Sequence, residues 1–138
     1  MKSTKVLMLI VAVIVMMVAT AGLTVLALGN SERQCNKDDY YTQTELAYEQ
    51  VSFIMDEYNY HEVPIFDILN DMDSLIKEAK QFKVGKCVED ANIHFMDSLQ
   101  HTRNAFVLRS NGAATTEIEA EFWAAISSYR EYAVLRDQ

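Results

Sequence analysis

Residues 6–28 contain no charged side chain and read VLMLIVAVIVMMVATAGLTVLAL. This uncharged run is 23 residues long, and about 20 apolar helical residues span a hydrocarbon core. Lys2 and Lys5 precede it, and positive flanking charge tends to stay in the cytoplasm. The expectation is a short cytoplasmic tail (1–5), a transmembrane anchor (6–28), and everything after it outside the cytoplasm, periplasmic or extracellular. A cleaved signal peptide is the alternative. Ala19-Thr20-Ala21 and Ala27-Leu28-Gly29 both space small residues as a cleavage site does, and the mature protein would then be secreted. The run exceeds the usual signal core of about 7–15 residues, which favours the anchor. Lipidation is a poor reading of Cys35, because Glu32-Arg33-Gln34 precede it where a small apolar triplet is needed.

The remainder has little turn punctuation. The whole chain holds one proline and four glycines, and Gly22 and Gly29 lie in or beside the apolar run. A small β-sandwich or barrel needs more breakers than that. The sequence therefore predicts an all-α fold: a linker over 29–36, then an antiparallel up-down-up-down four-helix bundle over 37–138. Asn36 is placed to cap a first helix running to about residue 60, with Ala47, Val51, Ile54, Met55 and Tyr58 at helical spacing. Val63-Pro64 interrupts it. The second helix has the clearest stripe: Ile65, Ile68, Leu69, Met72, Leu75, Ile76, Ala79 and Phe82, with Gly85 as its stop. A third helix, about 87–109, buries Val88, Ala91, Phe95, Leu99, Thr102 and Phe106. Asn111-Gly112 ends it. Thr116 with Glu119 then reads as a capping box, opening a fourth helix with Ile118, Phe122, Ala125, Ile126, Tyr129 and Ala133 inward. Several of the seven tyrosines can serve as bundle-edge residues with wet hydroxyls.

Cys35 and Cys87 are the only cysteines. In the expected topology both stand at helix starts on the same end of the bundle. Thiols outside the cytoplasm tend to be oxidised, so a Cys35–Cys87 disulfide is expected. An intermolecular bridge through Cys35 and two separate buried thiols are the alternatives.

The chain carries 12 Lys and Arg against 20 Asp and Glu, a net charge of −8. Setting aside Lys2 and Lys5 leaves −10 on residues 30–138. Such a surface repels phosphate backbones, so no nucleic-acid partner is expected. The cations are unevenly placed. Lys77, Lys80, Lys83 and Lys86 cluster where the second helix ends, the end that faces the membrane if the first helix leaves it. That basic cluster compensates a helix dipole and also reduces repulsion from anionic headgroups.

No Gly-x-Ser-x-Gly, His-Glu-x-x-His, phosphate-binding glycine loop or Glu-x-x-His pair occurs. An enzyme is therefore not expected, and no cofactor. Asp90, His94, Asp97 and His101 share one stripe of the third helix and form a weak candidate metal site. A single helix face offers only neighbouring pairs of ligands, so a tight site needs a second helix. The ordinary reading of the stripe is a solvated polar face. Apolar residues off the core side are more suggestive. Leu46, Phe53 and Tyr60 recur every seven residues on the first helix, and Ile93, Met96 and Val107 lie off the core side of the third. Large apolar groups outside a core can mark a partner surface, while scattered exposure is ordinary. The expected function is a membrane-anchored interaction module that binds another envelope protein or itself. The alternative is a ligand- or metal-sensing bundle acting through a partner's transmembrane helix.

Overall fold

A computed structural model describes residues 36–60 and 63–138. The apolar run 6–28, most of the linker and Cys35 lie outside the described residues. These fold into four helices with no strand among the described residues: α1 Lys37–Tyr60, α2 Ile65–Ala79, α3 Glu89–Ser110 and α4 Thr115–Arg136. A 3-10 turn, Lys86–Val88, leads into α3. Among the described residues no helix is long and apolar enough to cross a membrane.

Local chemistry sets the helix ends. The Asn36 side-chain oxygen accepts the Asp39 N–H at 3.3 Å, capping α1. Pro64 sits just before α2, where its missing N–H costs nothing. α2 stops at Ala79, well short of Gly85. The chain turns there, and Phe82 leaves the helical stripe to stack on Phe95 of α3, with ring centroids 6.0 Å apart. α3 ends in a Schellman turn. Ala113 N–H reaches Leu108 C=O at 3.0 Å, Gly112 N–H reaches Arg109 C=O at 3.1 Å, and Gly112 adopts φ 72°. The start of α4 differs from the sequence expectation. Ala114 occupies the cap position, and the Glu117 carboxylate accepts the Ala114 N–H at 3.2 Å. Alanine has no side-chain acceptor to return, so this is half a capping box. Thr116 and Glu119 lie inside the helix because the Schellman turn finishes early enough to begin α4 at Thr115.

Contacts across the bundle give the helix directions. The Tyr40 hydroxyl donates to Asn92 Oδ1 at 3.3 Å, joining the starts of α1 and α3. Tyr41 donates to the Leu135 carbonyl at 3.4 Å, joining the start of α1 to the end of α4. Thus α1 runs alongside α3 and against α4. α3 and α4 approach most closely along their length. Their buried faces include small residues, Ala91, Ser98, Thr102 and Ala105 on α3 and Ala125 on α4, which let backbones come together. α1 meets both of them through long side chains instead. Tyr48 packs edge-on against Phe95 and Tyr129, with centroids 5.3 and 4.8 Å away. Tyr58 packs edge-on against Phe106 at 5.1 Å.

The core departs from expectation in one class of residue. Tyr129 is buried as its helical position implies, and Tyr40, Tyr48 and Tyr132 are buried with it, where bundle-edge positions with wet hydroxyls were open to them. They are the spacers that fill the gap between α1 and the α3–α4 pair. On α2, Ile68, Met72, Leu75, Ile76 and Ala79 are buried, while Leu69 is only half-buried against the core.

Candidate functional site

The four lysines of the basic cluster are all exposed. Lys77 lies in the last turn of α2 and Lys80 caps it. Lys83 is in the following turn, and Lys86 opens the 3-10 turn. Two of them join residues of α3 around a shallow cleft of about 310 Å³ lined by Asp73, Ile76, Lys77, Lys80, Gln100 and Arg103. Ile76 is almost fully buried and forms the apolar base. Arg103 is held by Asp73 through two contacts, Nε to Oδ1 and Nη2 to Oδ2, the second at 3.2 Å. This pair pulls the Asp73 carboxyl below its ordinary range through the Arg103 hydrogen bond and charge. Gln100 donates one amide hydrogen to Asn104 at 3.1 Å. The sequence reading names the lysines but not the cleft, because Asp73 and Arg103 meet only after α2 and α3 pair.

The partner-surface residues divide. Leu46, Phe53 and Ile93 are exposed, Phe53 at 65%. Met96 is half-buried and packs against the core, so it leaves the set. Val107 is half-buried, and the Tyr60 side chain lies outside what the structure describes. Phe66, Val84, Trp123 and Val134 are also exposed and were not singled out by the sequence. On α4, Trp123 and Val134 lie roughly opposite Ala125 by helical phase.

The histidine stripe is not drawn together as a metal site. Among the described residues no three His, Cys, Asp or Glu side chains converge on a position that could hold a metal. His101 instead turns to α4, where its Nδ1 meets Glu121 Oε2 at 2.7 Å. Asn104 donates to the same oxygen at 3.4 Å. A carboxylate orients this imidazole, yet the contact supplies two candidate ligands, not a site. His61 lies outside the described residues.

Cys87 is disulfide-bonded and stands in the 3-10 turn at the end where α1 begins. Cys35 lies outside the described residues.

The other polar concentration is internal. Thr44 donates its hydroxyl to the carbonyls of Tyr40 and Tyr41, at 3.2 and 3.0 Å. Having one proton, it accepts the Tyr132 phenol at 2.6 Å. Burial raises the Tyr40, Tyr48, Tyr129 and Tyr132 hydroxyls above the ordinary phenol value. The Tyr48 hydroxyl is buried without a hydrogen bond. Ser98 is close enough to counter the burial as a hydrogen-bonding neighbour, but the two hydroxyls do not reach regular hydrogen-bond geometry. These phenols are neutral and enclosed in the core, where they contribute to the packing of the bundle.

No protein-family model matches the chain, and neither a curated protein nor a solved structure matches it.

Proposed function

We propose that the chain is a membrane-anchored, extracytoplasmic interaction module: an antiparallel four-helix bundle held by residues 6–28 and binding an envelope protein or a second copy of itself. The observation that carries this reading is the outer face of α1, where Leu46 and Phe53 are exposed while Tyr40, Ala47, Tyr48, Val51, Ile54 and Met55 form its buried side. Two large apolar groups two turns apart on one ridge suit a helix-sized partner. Enzymatic activity is not part of the reading, since its sequence offers no catalytic motif.

The test is photocrosslinking in intact cells from a reporter at position 53, with position 127 on α4 as an exposed control. A discrete protein adduct, or a self-adduct, from position 53 alone supports the module. Equal smears from both positions would overturn it. The bridge is part of the same proposal. Because Cys87 stands where α1 begins and the chain has one other cysteine, we assign Cys35 as its partner. Non-reducing peptide mapping should yield a linked Cys35–Cys87 peptide, and a Cys87–Cys87 adduct would replace it with a dimer contact. Membrane orientation is tested separately. Lys80→Glu with Lys83→Glu should abolish low-salt binding to anionic vesicles if the basic end faces headgroups.

A sensing bundle is the second reading, and the cleft between α2 and α3 is the observation that favours it.

A further inference from the structure

We propose that the cleft between α2 and α3 binds a small phosphate-bearing anion, held by Lys77, Lys80 and Arg103 above Ile76. This goes beyond the partner-surface reading and rests on different residues.

The extracytoplasmic residues carry −10, yet the cleft lining holds three cations and one acid. Helix-dipole compensation accounts for a lysine in the last turn of α2. It does not account for Arg103, which comes from the middle of another helix to the same concavity. Asp73 neutralises Arg103, and neither Lys77 nor Lys80 has an ion-pair partner among the described residues. Two unpaired ammonium groups and a fixed guanidinium therefore face one concave space.

The donor geometry selects among anions. A planar carboxylate is best recognised by the two-pronged edge of an arginine. That edge of Arg103 is occupied by Asp73. What remains is the other Nη, two lysine point charges, and the second amide hydrogen of Gln100. Donors spread around a concavity suit a tetrahedral oxyanion with several oxygens better than a flat carboxylate. The size is at the lower end for a ligand site, which restricts the occupant to a headgroup-sized molecule. Ile76 offers an apolar surface to whatever the phosphate is attached to. Along α3, Gln100 to Arg103 lie roughly 15–20 Å from the first residue at about 1.5 Å per residue, so the cleft opens on the side of the bundle and not at its end.

The same chemistry has two sources, a free phosphate ester and a lipid headgroup, and one experiment separates them. The full chain is placed in phosphatidylcholine nanodiscs and titrated with radiolabelled inorganic phosphate by equilibrium dialysis. One saturable site per chain is expected. Lys77→Gln with Lys80→Gln should weaken it by about tenfold or more, whereas Lys83→Gln with Lys86→Gln, the same charge change outside the cleft, should weaken it by less than about threefold. Asp73→Asn frees the Arg103 edge and removes the one acid, so it should tighten binding. Repeating the titration in discs containing phosphatidylglycerol identifies the source. An unchanged affinity indicates a free ligand, and a several-fold weaker apparent affinity indicates headgroups competing for the cleft. No saturable binding up to about 10 mM phosphate, equal losses from both lysine pairs, or weaker binding by Asp73→Asn overturns the proposal.

Discussion

The two seams that hold α3 are built from opposite materials. Toward α4 the helices meet closely, and the buried residues of the two include small ones such as Ala105 and Ala125. Toward α1 the backbones stand apart, and Tyr48 and Tyr58 bridge the gap to Phe95 and Phe106 by edge-on ring contacts. Small residues give proximity and leave few polar atoms to satisfy. Tyrosines give reach, but each brings a hydroxyl that must find a partner when buried. Tyr40 and Tyr132 find theirs in Asn92 and Thr44, while Tyr48 does not. The aromatic seam is therefore where stability and chemistry diverge most within this fold.

Phe95 is the residue at which this contrast should be largest. Its ring touches Tyr48, Phe82 and Tyr132, and it is fully buried. Phe95→Ala should destabilise the domain by about 3–5 kcal/mol in urea unfolding. A loss under about 1 kcal/mol would mean that α1 is not packed on α3 as described. The close seam should break in the opposite sense, by addition. Ala105 is fully buried, so Ala105→Leu should cost about 1–3 kcal/mol through overpacking. Tolerance of leucine there would show that α3 and α4 have room to spare.

This contrast also explains what is legible before folding. α2 reads cleanly because its buried positions, Ile68, Met72, Leu75, Ile76 and Ala79, are all apolar and its exposed ones are mostly charged. Period and polarity agree. On α1 they conflict. The buried positions 40, 44 and 48 are Tyr, Thr and Tyr, while exposed positions 46 and 53 are Leu and Phe. Apolar side chains mark both faces, so the pattern identifies a helix without fully identifying its inner side. Met96 reads as lying off the core side of α3 for the same reason, yet it packs against the core. The cleft is illegible for another cause: Asp73 and Arg103 are thirty residues apart, and Lys77 and Lys80 by themselves look like ordinary helix-end cations.

Paired phenylalanine substitutions sharpen the account of the aromatic seam. Tyr132→Phe removes the donor to Thr44 and should cost about 0.5–1.5 kcal/mol. Tyr48→Phe removes a buried hydroxyl that has no hydrogen bond, and should leave stability unchanged or raise it by about 1 kcal/mol. Losses of the same size at both positions would mean that Tyr48 has a partner after all. High pH probes the seam as a whole. Burial raises these phenols in the folded state. Their contribution is fully present below the ordinary phenol value near 10 and is lost as pH rises beyond it, because the unfolded chain then ionises first. Urea melts from about pH 8 to 11 should show stability falling above about pH 10, with a weaker fall in Tyr132→Phe. A flat profile would place the tyrosines in water.

The smallest expected effect tests the far side of α3, where contact with α2 includes a surface ion pair. Asp73 is held below the ordinary carboxyl range chiefly by its hydrogen bond to Arg103. A carboxyl lowered in the folded state contributes stability that is present above its unfolded value, near 4, and is lost as pH falls through the folded value. The pair is largely solvent-exposed, with Asp73 at 51%, so screening limits it to about 0–1 kcal/mol. Asp73→Asn should therefore lower stability by no more than about that amount at pH 7. The difference between the two proteins should shrink as pH falls below 4 and should diminish in high salt. A penalty well above 1 kcal/mol that persists in high salt and at low pH would show that Asp73 organises the α2–α3 contact structurally. The cleft residues would then be fixed by the fold itself and not by an exposed ion pair that a bound anion can rearrange.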